Sequence, residues 1–322
     1  MSEESGPGPN EMRAVGFTEF GDPSVLHVVR LPIPSPGPGQ VRVRVAAATV
    51  NPTDLGFRLG GRRLPDGVAP PYIPGMDLAG VIDEVGSAVS SWHPGDRVMA
   101  AVSPWQPGGG AQAEYVLVSP DQLARVPDGV SIEAAATMPM NAMTVRTALD
   151  MLALAPGQTL AVTGSAGAVG GYAIQLGTRD GLIVIGDAKP EDTELIKSFG
   201  ARHVVERGPG MAAAVRALYP DGVDAVLDAA LLGPAILPAV RDGGELMAVR
   251  PFQGETERDI KISLVLVGNH LHEGGRLTEL ADLAAKGALT LRIAEVLPAE
   301  QAAQAHRRLE AGGVRGRLVL SF

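Results

Sequence analysis

The first third of the chain alternates hydrophobic and polar positions with a period of two. In residues 41–50, valines at every second position alternate with arginines, and an apolar run follows. This alternation predicts a β-strand that enters a core with one face buried. Three further strands are predicted, separated by turn clusters rich in Pro, Gly and Asp, at residues 78–85, 97–102 and 114–118. Several short strands with irregular loops predict a barrel-like or folded-sheet domain.

After about residue 127, short apolar segments alternate with segments of helical periodicity. The predicted strands lie at residues 160–163, 182–185, 203–205, 225–227, 246–249 and 262–267. The predicted helices lie at residues 132–138, 140–153, 169–177, 191–199, 211–219 and 233–240. This alternation predicts stacked βαβ units, with helices on both faces of a parallel sheet. The rest of the chain predicts helices at 276–285 and 299–310, with strands near 293 and at 317–320.

Composition narrows the class of protein. The chain has 322 residues, 45% of them hydrophobic, and it contains no cysteine. At about 150 residues per domain, this length favours two domains. The lack of cysteine excludes thiol nucleophiles, cysteine-ligated zinc and iron–sulfur clusters.

Charge and hydropathy argue against two classes of partner. A net charge of −9 does not suit a general binder of nucleic-acid backbones, which carries a basic face. No apolar run reaches the roughly 18 residues that a membrane span requires. Residues 1–10 are acidic and rich in Gly and Pro, without the features of a signal peptide. We therefore expect a disordered N-terminal tail on a cytoplasmic protein that binds neither nucleic acid nor membrane.

A glycine-rich turn follows the predicted strand at 160–163 and opens the next predicted helix. Residues 163–171 read T-G-S-A-G-A-V-G-G, which places Ser165, Gly167 and Gly170 in the three positions of G-x-G-x-x-G. Glycines let the backbone approach a pyrophosphate, and the helix N-terminus offers free N–H groups and a positive dipole end. Because strand, turn, helix and second strand fall within about 30 residues, we interpret the motif as a dinucleotide site rather than an ordinary tight turn.

Three charged residues beyond the turn leave the choice between NAD and NADP open. Asp187 lies 20 residues after Gly167, where an acid accepts hydrogen bonds from the adenosine ribose and favours NAD. Lys189 and Arg207 follow the second and third predicted strands, and they are suited to a 2′-phosphate. The alternative for both is a solvated surface charge.

Several motifs match one known family, in that family's order. They include TVNPTD at 49–54, PYIPG at 71–75, AGVI at 79–82, GDRV at 95–98, the glycine turn, and segments 195–201 and 310–320. The chain thereby resembles the zinc-independent quinone oxidoreductase branch of the medium-chain dehydrogenase/reductase superfamily. The resemblance implies an α/β protein with a GroES-like β-rich catalytic domain at residues 1–127 and 269–322. It further implies a Rossmann domain, with a doubly wound parallel sheet, at residues 128–268.

The resemblance also assigns binding residues and an assembly. It implies NADPH as the cofactor, with NADH as the alternative, and a homodimer paired through the edge strand at 262–267. The implied cofactor-binding residues are Thr144, Gly164, Ser165, Gly167, Ala168, Val169, Asp187, Lys189, Arg207 and Arg317. Among these, Asp187 departs from the small or hydroxyl residue common in the family, and this departure weakens the assignment of NADPH.

Zinc-dependent relatives hold a catalytic zinc with Cys, His and Cys, and here Asn51, Met76 and about Met140 match those positions. Amide and thioether groups are poor zinc ligands, so no metal site is expected. Without a Lewis acid, reduction of an already activated acceptor is easier than alcohol oxidation. We therefore expect hydride transfer to a small-molecule quinone or α,β-unsaturated carbonyl.

Two residues are candidates for catalysis. Asn51 would donate its amide to the acceptor's carbonyl oxygen, and Tyr72 belongs to a motif that lines the substrate site. The alternatives are an Asn-Pro turn and a packed loop aromatic. Some relatives carry a tyrosine where this chain has Gly56, so the proton donor stays open.

Two other functions remain as alternatives. A discrete enoyl reductase of a biosynthetic pathway would act on an acyl thioester, for which Arg58, Arg62 and Arg63 could form a basic patch. The favoured alternative for these three arginines is a solvated face. The non-enzymatic alternative is a partner protein that binds NADPH but is catalytically inactive.

Overall fold

A computed structural model describes residues 10–322 and divides them into two compact units. The first unit contains the described residues up to Met140 together with Gly268–Lys286 and Leu291–Phe322. The second contains Asn141–Val267 and Gly287–Thr290. Apart from Asn10, the expected N-terminal tail lies outside the described residues.

The first unit is built mainly from strands. Its strands are β1 (Glu11–Gly16), β2 (His27–Pro32), β3 (Val41–Val50), β4 (Asp77–Val85), β5 (Arg97–Ala101), β6 (Tyr115–Val118), β7 (Leu123–Arg125), β14 (Ile293–Pro298) and β15 (Arg317–Ser321). Its helices are α1 (Pro52–Arg58), α2 (Ile132–Ala136), α7 (Gly274–Ala285) and α8 (Ala302–Glu310). Short 3-10 turns lie at Pro23–Val25, Pro120–Gln122, Val267–His270 and Ala299–Gln301, and Val267 itself belongs to the second unit.

Strand β3 is the centre of the first unit's sheet, whose order is β14-β15-β3-β4-β5-β7 with β6 also paired to β3. Its three alternating valines are at most 3% exposed, whereas Arg42 turns outward and pairs with Asp83. The period-two pattern therefore produces the half-buried strand that the sequence predicted. The chain's C-terminal strand β15 pairs antiparallel with β3, so both ends of the chain contribute to this unit.

The second unit alternates strands and helices along the chain. Its strands are β8 (Thr159–Thr163), β9 (Ile183–Ala188), β10 (His203–Glu206), β11 (Val223–Asp228), β12 (Val240–Ala248) and β13 (Lys261–Leu264). Its helices are α3 (Pro139–Leu152, which begins in the first unit), α4 (Ala168–Arg179), α5 (Thr193–Ser198) and α6 (Met211–Leu218), with 3-10 turns at Pro190–Asp192 and Gly233–Ala239.

The six strands of the second unit form one parallel sheet in the order β10-β9-β8-β11-β12-β13. The order runs outward in both directions from the β8/β11 pair, which is the doubly wound arrangement. The predicted fold class is therefore confirmed. Ligands of such sheets bind outside the carboxyl ends of the strands, at the point where the order reverses.

The structure differs from the sequence prediction in two segments of this unit. The edge strand predicted at 262–267 is shorter, because β13 ends at Leu264 and a 3-10 turn begins at Val267. Residues 233–240 were expected to form an α-helix, but Gly233–Ala239 forms a 3-10 segment. Pro238 lies inside it, and proline removes an N–H donor and clashes with the preceding turn of an α-helix.

Within residues 10–322, no helix has the length and apolar character needed to cross a membrane.

Candidate functional site

The glycine turn joins β8 directly to α4. Gly164 adopts a left-handed backbone with φ of +67°, which glycine tolerates without strain. A Cβ at Gly170 would lie 2.3 Å from the carbonyl oxygen of Gly164, so the first turn of α4 packs against the backbone of the glycine turn. Ala168 and Val169 begin the helix and are half-buried. The first N–H groups of a helix have no acceptor inside it, so this end of α4 is suited to an anion.

Ser165 and Asp187 form a reciprocal pair beneath the turn. The backbone N–H of Ser165 donates to Oδ1 of Asp187 at 2.7 Å, and the N–H of Asp187 donates to Oγ of Ser165 at 3.0 Å. Oγ of Ser165 in turn donates to the carbonyl of Val162 at 3.0 Å. Asp187 is 3% exposed and Ser165 is fully buried. One oxygen of this carboxylate therefore holds the glycine turn in place, whatever the carboxylate does toward a ribose.

Lys189 and Arg207 lie together at the carboxyl ends of β9 and β10. The backbone N–H of Arg207 donates to the carbonyl of Ala188 at 2.9 Å, which fixes the two residues side by side. Both side chains are exposed, and Nζ of Lys189 is 3.9 Å from the carboxylate of Glu191. Thr144, the other predicted cofactor residue in this unit, is buried on α3.

A second polar cluster, which the sequence analysis missed, closes the end of β11. Asp228 is 3% exposed, and its Oδ1 accepts from Oγ1 of Thr163 at 2.6 Å. The same carboxylate accepts from the backbone N–H groups of Leu232 and Gly233 at 3.0 and 2.8 Å. The sequence did show an aspartate at the end of an apolar strand. Its hydrogen-bond partners could not be predicted, because they are backbone N–H groups of the following loop, whose conformation depends on the fold.

In the first unit, Asn51 and Arg317 belong to one buried network around Asp77. Oδ2 of Asp77 accepts from Thr49 at 2.6 Å, Asn51 at 2.9 Å and Arg317 at 3.1 Å, and all four side chains are at most 5% exposed. Nη2 of Arg317 also donates to Oδ1 of Asn51 at 2.6 Å. Both the nitrogen and the oxygen of the Asn51 amide are thus hydrogen-bonded within the network, so this residue positions Asp77 and Arg317.

Asp54 lies next to this network and holds the start of α1. Its carboxylate accepts from the backbone N–H of Asn51 at 2.7 Å and from that of Gly75 at 2.9 Å. Burial raises the pKa of Asp54 to about 7, against the lowering effect of these two hydrogen bonds. Part of the Asp54 population is therefore protonated at neutral pH.

Tyr72 lies in an aromatic cluster with Phe17, Phe20, Phe57 and Trp105. Its ring stacks on Phe20 with centroids 5.2 Å apart, and Trp105 meets Phe57 edge-on at 5.2 Å. Among residues 10–322, no hydrogen-bond partner occupies the Tyr72 hydroxyl, and the side chain is half-buried. Tyr72 also lines a 210 Å³ cavity between loops 67–73 and 104–109. The ring of Tyr72 is thus packed against other aromatic rings, while its hydroxyl is available to donate a hydrogen bond to a ligand.

The basic patch suggested by the sequence is wrong at one of its three positions. Arg58 is 1% exposed, its Nε donates to the carbonyl of Gly21 at 2.9 Å, and its Nη2 pairs with Glu310. Burial lowers the pKa of His306 to about 3, so a neutral imidazole faces Nη1 of Arg58 at 3.1 Å. Arg58 therefore stabilises the packing of α1 on α8, and only Arg62 and Arg63 remain at the surface.

Comparison with known proteins gives the same architecture. A family model described as "Alcohol dehydrogenase GroES-like domain" matches residues 37–128, and one described as "Zinc-binding dehydrogenase" matches residues 199–320. The solved structure of the quinone oxidoreductase from Coxiella burnetii is similar at a TM-score of 0.86 and 27% identity, covering 97% of this chain and 99% of that chain.

Two characterised relatives extend the comparison. The chloroplastic NADPH-dependent alkenal/one oxidoreductase of Arabidopsis thaliana is 31% identical over 248 residues, which are 75% of this chain and 63% of that protein. A trans-enoyl reductase of Alternaria alternata is 30% identical over 258 residues, which are 75% of this chain and 74% of that protein. The chain belongs to the quinone oxidoreductase branch of the medium-chain dehydrogenase/reductase superfamily. The predicted fold and the assignment to this branch are confirmed.

One matching model of the superfamily implies zinc, and the residues present do not fit it. The position of the first zinc ligand is Asn51, whose amide oxygen accepts from the Arg317 guanidinium at 2.6 Å. The other two positions supply the neutral thioethers of Met76 and Met140. A fixed buried cation beside poor donors repels a divalent metal rather than binding it. Within the described range, 10–322, no group of three or more His, Cys, Asp or Glu could hold a metal ion.

A nicotinamide dinucleotide, by contrast, fits the second unit. Gly170 leaves room for no side chain against the glycine turn, and α4 presents its N-terminus there. The turn lies at the carboxyl end of β8, next to the point where the sheet order reverses. These are the features that bind a pyrophosphate in a doubly wound sheet. A nicotinamide cofactor is therefore supported by the geometry and by the superfamily.

Proposed function

We propose that this protein is an NADPH-dependent reductase that transfers hydride to a quinone or an α,β-unsaturated carbonyl without using zinc. The observation that carries the reaction type is the buried Asn51–Asp77–Arg317 network, in which Asn51 stands at the position of the first zinc ligand. Alcohol oxidation needs strong polarisation of the substrate, which a bound metal supplies. A quinone or enone is already activated, so its reduction needs no metal at this position.

The chain's own residues would bind the cofactor and stabilise charge on the acceptor. The N-terminal amides of α4 hold the pyrophosphate, and the Ser165–Asp187 pair fixes the turn that presents them. When bound, NADPH supplies the hydride, and negative charge then develops on the acceptor's oxygen. The amide of Asn51 is already hydrogen-bonded to Asp77 and Arg317. We therefore assign Tyr72 as the residue whose hydroxyl donates a hydrogen bond to the acceptor's oxygen.

This assignment is tested with a panel of acceptors. NADPH oxidation is followed at fixed cofactor concentration with a quinone, an enone and a crotonyl thioester, for the wild type and for Tyr72→Phe. We expect turnover with the quinone or enone, and a kcat about 100-fold lower in Tyr72→Phe because one donor to the oxyanion is lost. Tyr115→Phe, which alters a half-buried tyrosine under Arg42, serves as the control with unchanged kcat.

The same panel separates the competing functions. Preferential turnover of the crotonyl thioester would favour the enoyl reductase reading, which the Alternaria relative supports. Tight NADPH binding without turnover of any acceptor would favour the inactive partner protein. An unchanged kcat in Tyr72→Phe would remove Tyr72 from the mechanism while leaving the reaction class intact.

NADPH is proposed over NADH because Lys189 and Arg207 place two exposed cations at the adjoining ends of β9 and β10. Charge-assisted hydrogen bonds to a 2′-phosphate are the contacts that NADH cannot make. The name of the Arabidopsis relative agrees with this choice. Asp187 argues for NADH, but one of its oxygens is engaged by the N–H of Ser165.

The double variant Lys189→Ala/Arg207→Ala tests this cofactor preference. We expect the KM for NADPH to rise about tenfold or more, since each lost charge-assisted contact is worth about 1.5–3 kcal/mol before solvent screening, and the KM for NADH to stay nearly constant. Lys197→Ala removes another exposed lysine of this unit, which pairs with Glu194, and should change neither value. Equal increases for both cofactors would refute the assignment of the 2′-phosphate.

The assembly and location also stay proposals. We propose a homodimer through the edge of the second unit's sheet, where β13 has a neighbouring strand on one side only. Leu266, just beyond this strand, is 52% exposed and would be covered by such pairing. A cytoplasmic location is proposed from the sequence pattern alone.

A further inference from the structure

The loop after β11 contains a leucine in a backbone conformation that leucine rarely adopts. Leu231 has φ of +60°, in the left-handed region that favours glycine. Its side chain is 53% exposed, so the strain is not offset by burial in the core. A branched residue with positive φ that persists in a fold is an outlier that points to a function.

The loop is held in this conformation by three backbone hydrogen bonds. The N–H groups of Leu232 and Gly233 donate to the carboxylate of Asp228, and the N–H of Ala230 donates to Oγ1 of Thr163 at 2.8 Å. Thr163 itself donates to Asp228. Because the residues on both sides of Leu231 are fixed, the leucine cannot relax without breaking part of this buried network.

The network places Leu231 at the edge of the sheet where a dinucleotide binds. Thr163 ends β8 and Asp228 ends β11, the two strands at which the sheet order reverses. A Cβ at Gly164 would lie 3.3 Å from the backbone nitrogen of Ala230, so the loop packs on the glycine turn itself. Leu231 is thus an exposed apolar residue on a loop that packs against the glycine turn, where we place the pyrophosphate.

We propose that Leu231 positions the dinucleotide, by packing its side chain against the face of one of the cofactor's heteroaromatic rings. This inference rests on the proposed function, since it takes a nicotinamide dinucleotide as the ligand. Apolar contact with a ring face buries the exposed leucine and restricts the ring's orientation. The strained backbone conformation of Leu231 then orients the side chain toward the ligand, which an unstrained conformation would not do.

The test compares two substitutions at this position by the Kd for NADPH and by Tm. Leu231→Gly relieves the strain and removes the side chain, so we expect Tm to rise by about 2–4 °C while the Kd weakens about tenfold. Leu231→Ala removes the side chain but keeps the strain, so its Kd should weaken similarly without the rise in Tm. This second variant separates loss of contact from added flexibility of the loop.

A matched control is available in the same unit. Ala153 also has positive φ, at +48°, and lies in the turn after α3. Ala153→Gly should therefore raise Tm without changing the Kd for NADPH. Repeating the titrations with ADP identifies the ring: weakening with ADP as well assigns the contact to adenine, and weakening with NADPH alone assigns it to nicotinamide.

Two outcomes overturn the inference in distinguishable ways. If the wild type binds NADPH and both Leu231 variants bind it equally well, Leu231 does not contact the cofactor and the proposed function still stands. If the wild type binds neither NADPH nor NADH, the proposed function itself fails, and this inference fails with it.

Discussion

Arg317→Met is expected to lower the free energy of unfolding by about 3–5 kcal/mol, the typical cost of removing one partner of a buried ion pair. The guanidinium is the cation that faces the buried carboxylate of Asp77, at 3.1 Å. Methionine keeps much of the side-chain volume but leaves that negative charge uncompensated. The measurement is urea denaturation followed by circular dichroism, with the wild type and the variant under identical conditions.

Two further variants make this result interpretable. Arg125→Met breaks a more exposed pair with Asp96 in the same unit and should cost no more than about 1 kcal/mol. The double variant Asp77→Asn/Arg317→Met removes both charges and should recover part of the loss in stability. If Arg317→Met costs no more than Arg125→Met, the buried network does not stabilise the unit as we argue.

Gly170→Ala is expected to reduce kcat/KM for NADPH on the order of 100-fold, because a misplacement of about 1 Å at a binding site has that effect. The new Cβ would lie 2.3 Å from the Gly164 carbonyl oxygen and 2.7 Å from Cα of Ser165. Both are backbone atoms, which cannot rotate away as a side chain can. The start of α4 must therefore move away from the glycine turn.

The same helix offers a matched control for this substitution. A Cβ at Gly177 would meet side-chain atoms of Val184 at 3.2 Å and Leu160 at 3.4 Å, which can shift by a few tenths of an ångström. Gly177→Ala should thus retain NADPH kinetics close to those of the wild type. A folded Gly170→Ala protein, verified by circular dichroism, that binds NADPH normally would show that the turn does not contact the cofactor.

The buried network also places an arginine beside Asn51, the residue at the position of the first zinc ligand in zinc-dependent relatives. Without Arg317, the carboxylate of Asp77 would be buried without its counter-charge, which is costly. Arg317 supplies that charge from the C-terminal strand β15, and Asn51 links the two through its amide. The positive charge beside Asp77 is therefore supplied by a side chain that these hydrogen bonds hold in place.

Much of the fold was predictable from local pattern. The alternation at residues 41–50 and the strand–helix alternation after residue 127 correspond to β3 and to the second unit's parallel sheet. The elements that the sequence analysis missed are α1, with Gly56 in its interior, and β1, β2 and β7. A glycine lowers helix propensity, and short or half-exposed strands carry weak periodicity, so local signal was insufficient there.

The site was predictable only where its chemistry is local in sequence. The glycine turn, Asp187, Lys189 and Arg207 lie at the ends of β8, β9 and β10, as the sequence analysis expected, and their roles toward a cofactor stay predictions. The partners of those residues were not predictable. Nothing near Ser165 in sequence indicates that its backbone N–H engages the carboxylate of Asp187, 22 residues away.

The sequence by itself determined the fold class and the glycine turn, because each depends on residue types at short, regular spacing, and the matched family motifs showed poor zinc ligands at Asn51, Met76 and about Met140. Only the tertiary structure decided that Asn51 is committed, that Arg58 is buried, and that Leu231 is strained and exposed. Those properties depend on contacts such as Arg317 with Asn51, 266 residues apart, and on backbone angles in a loop. Burial and hydrogen bonding over such separations arise from packing of the whole unit, which no local pattern encodes.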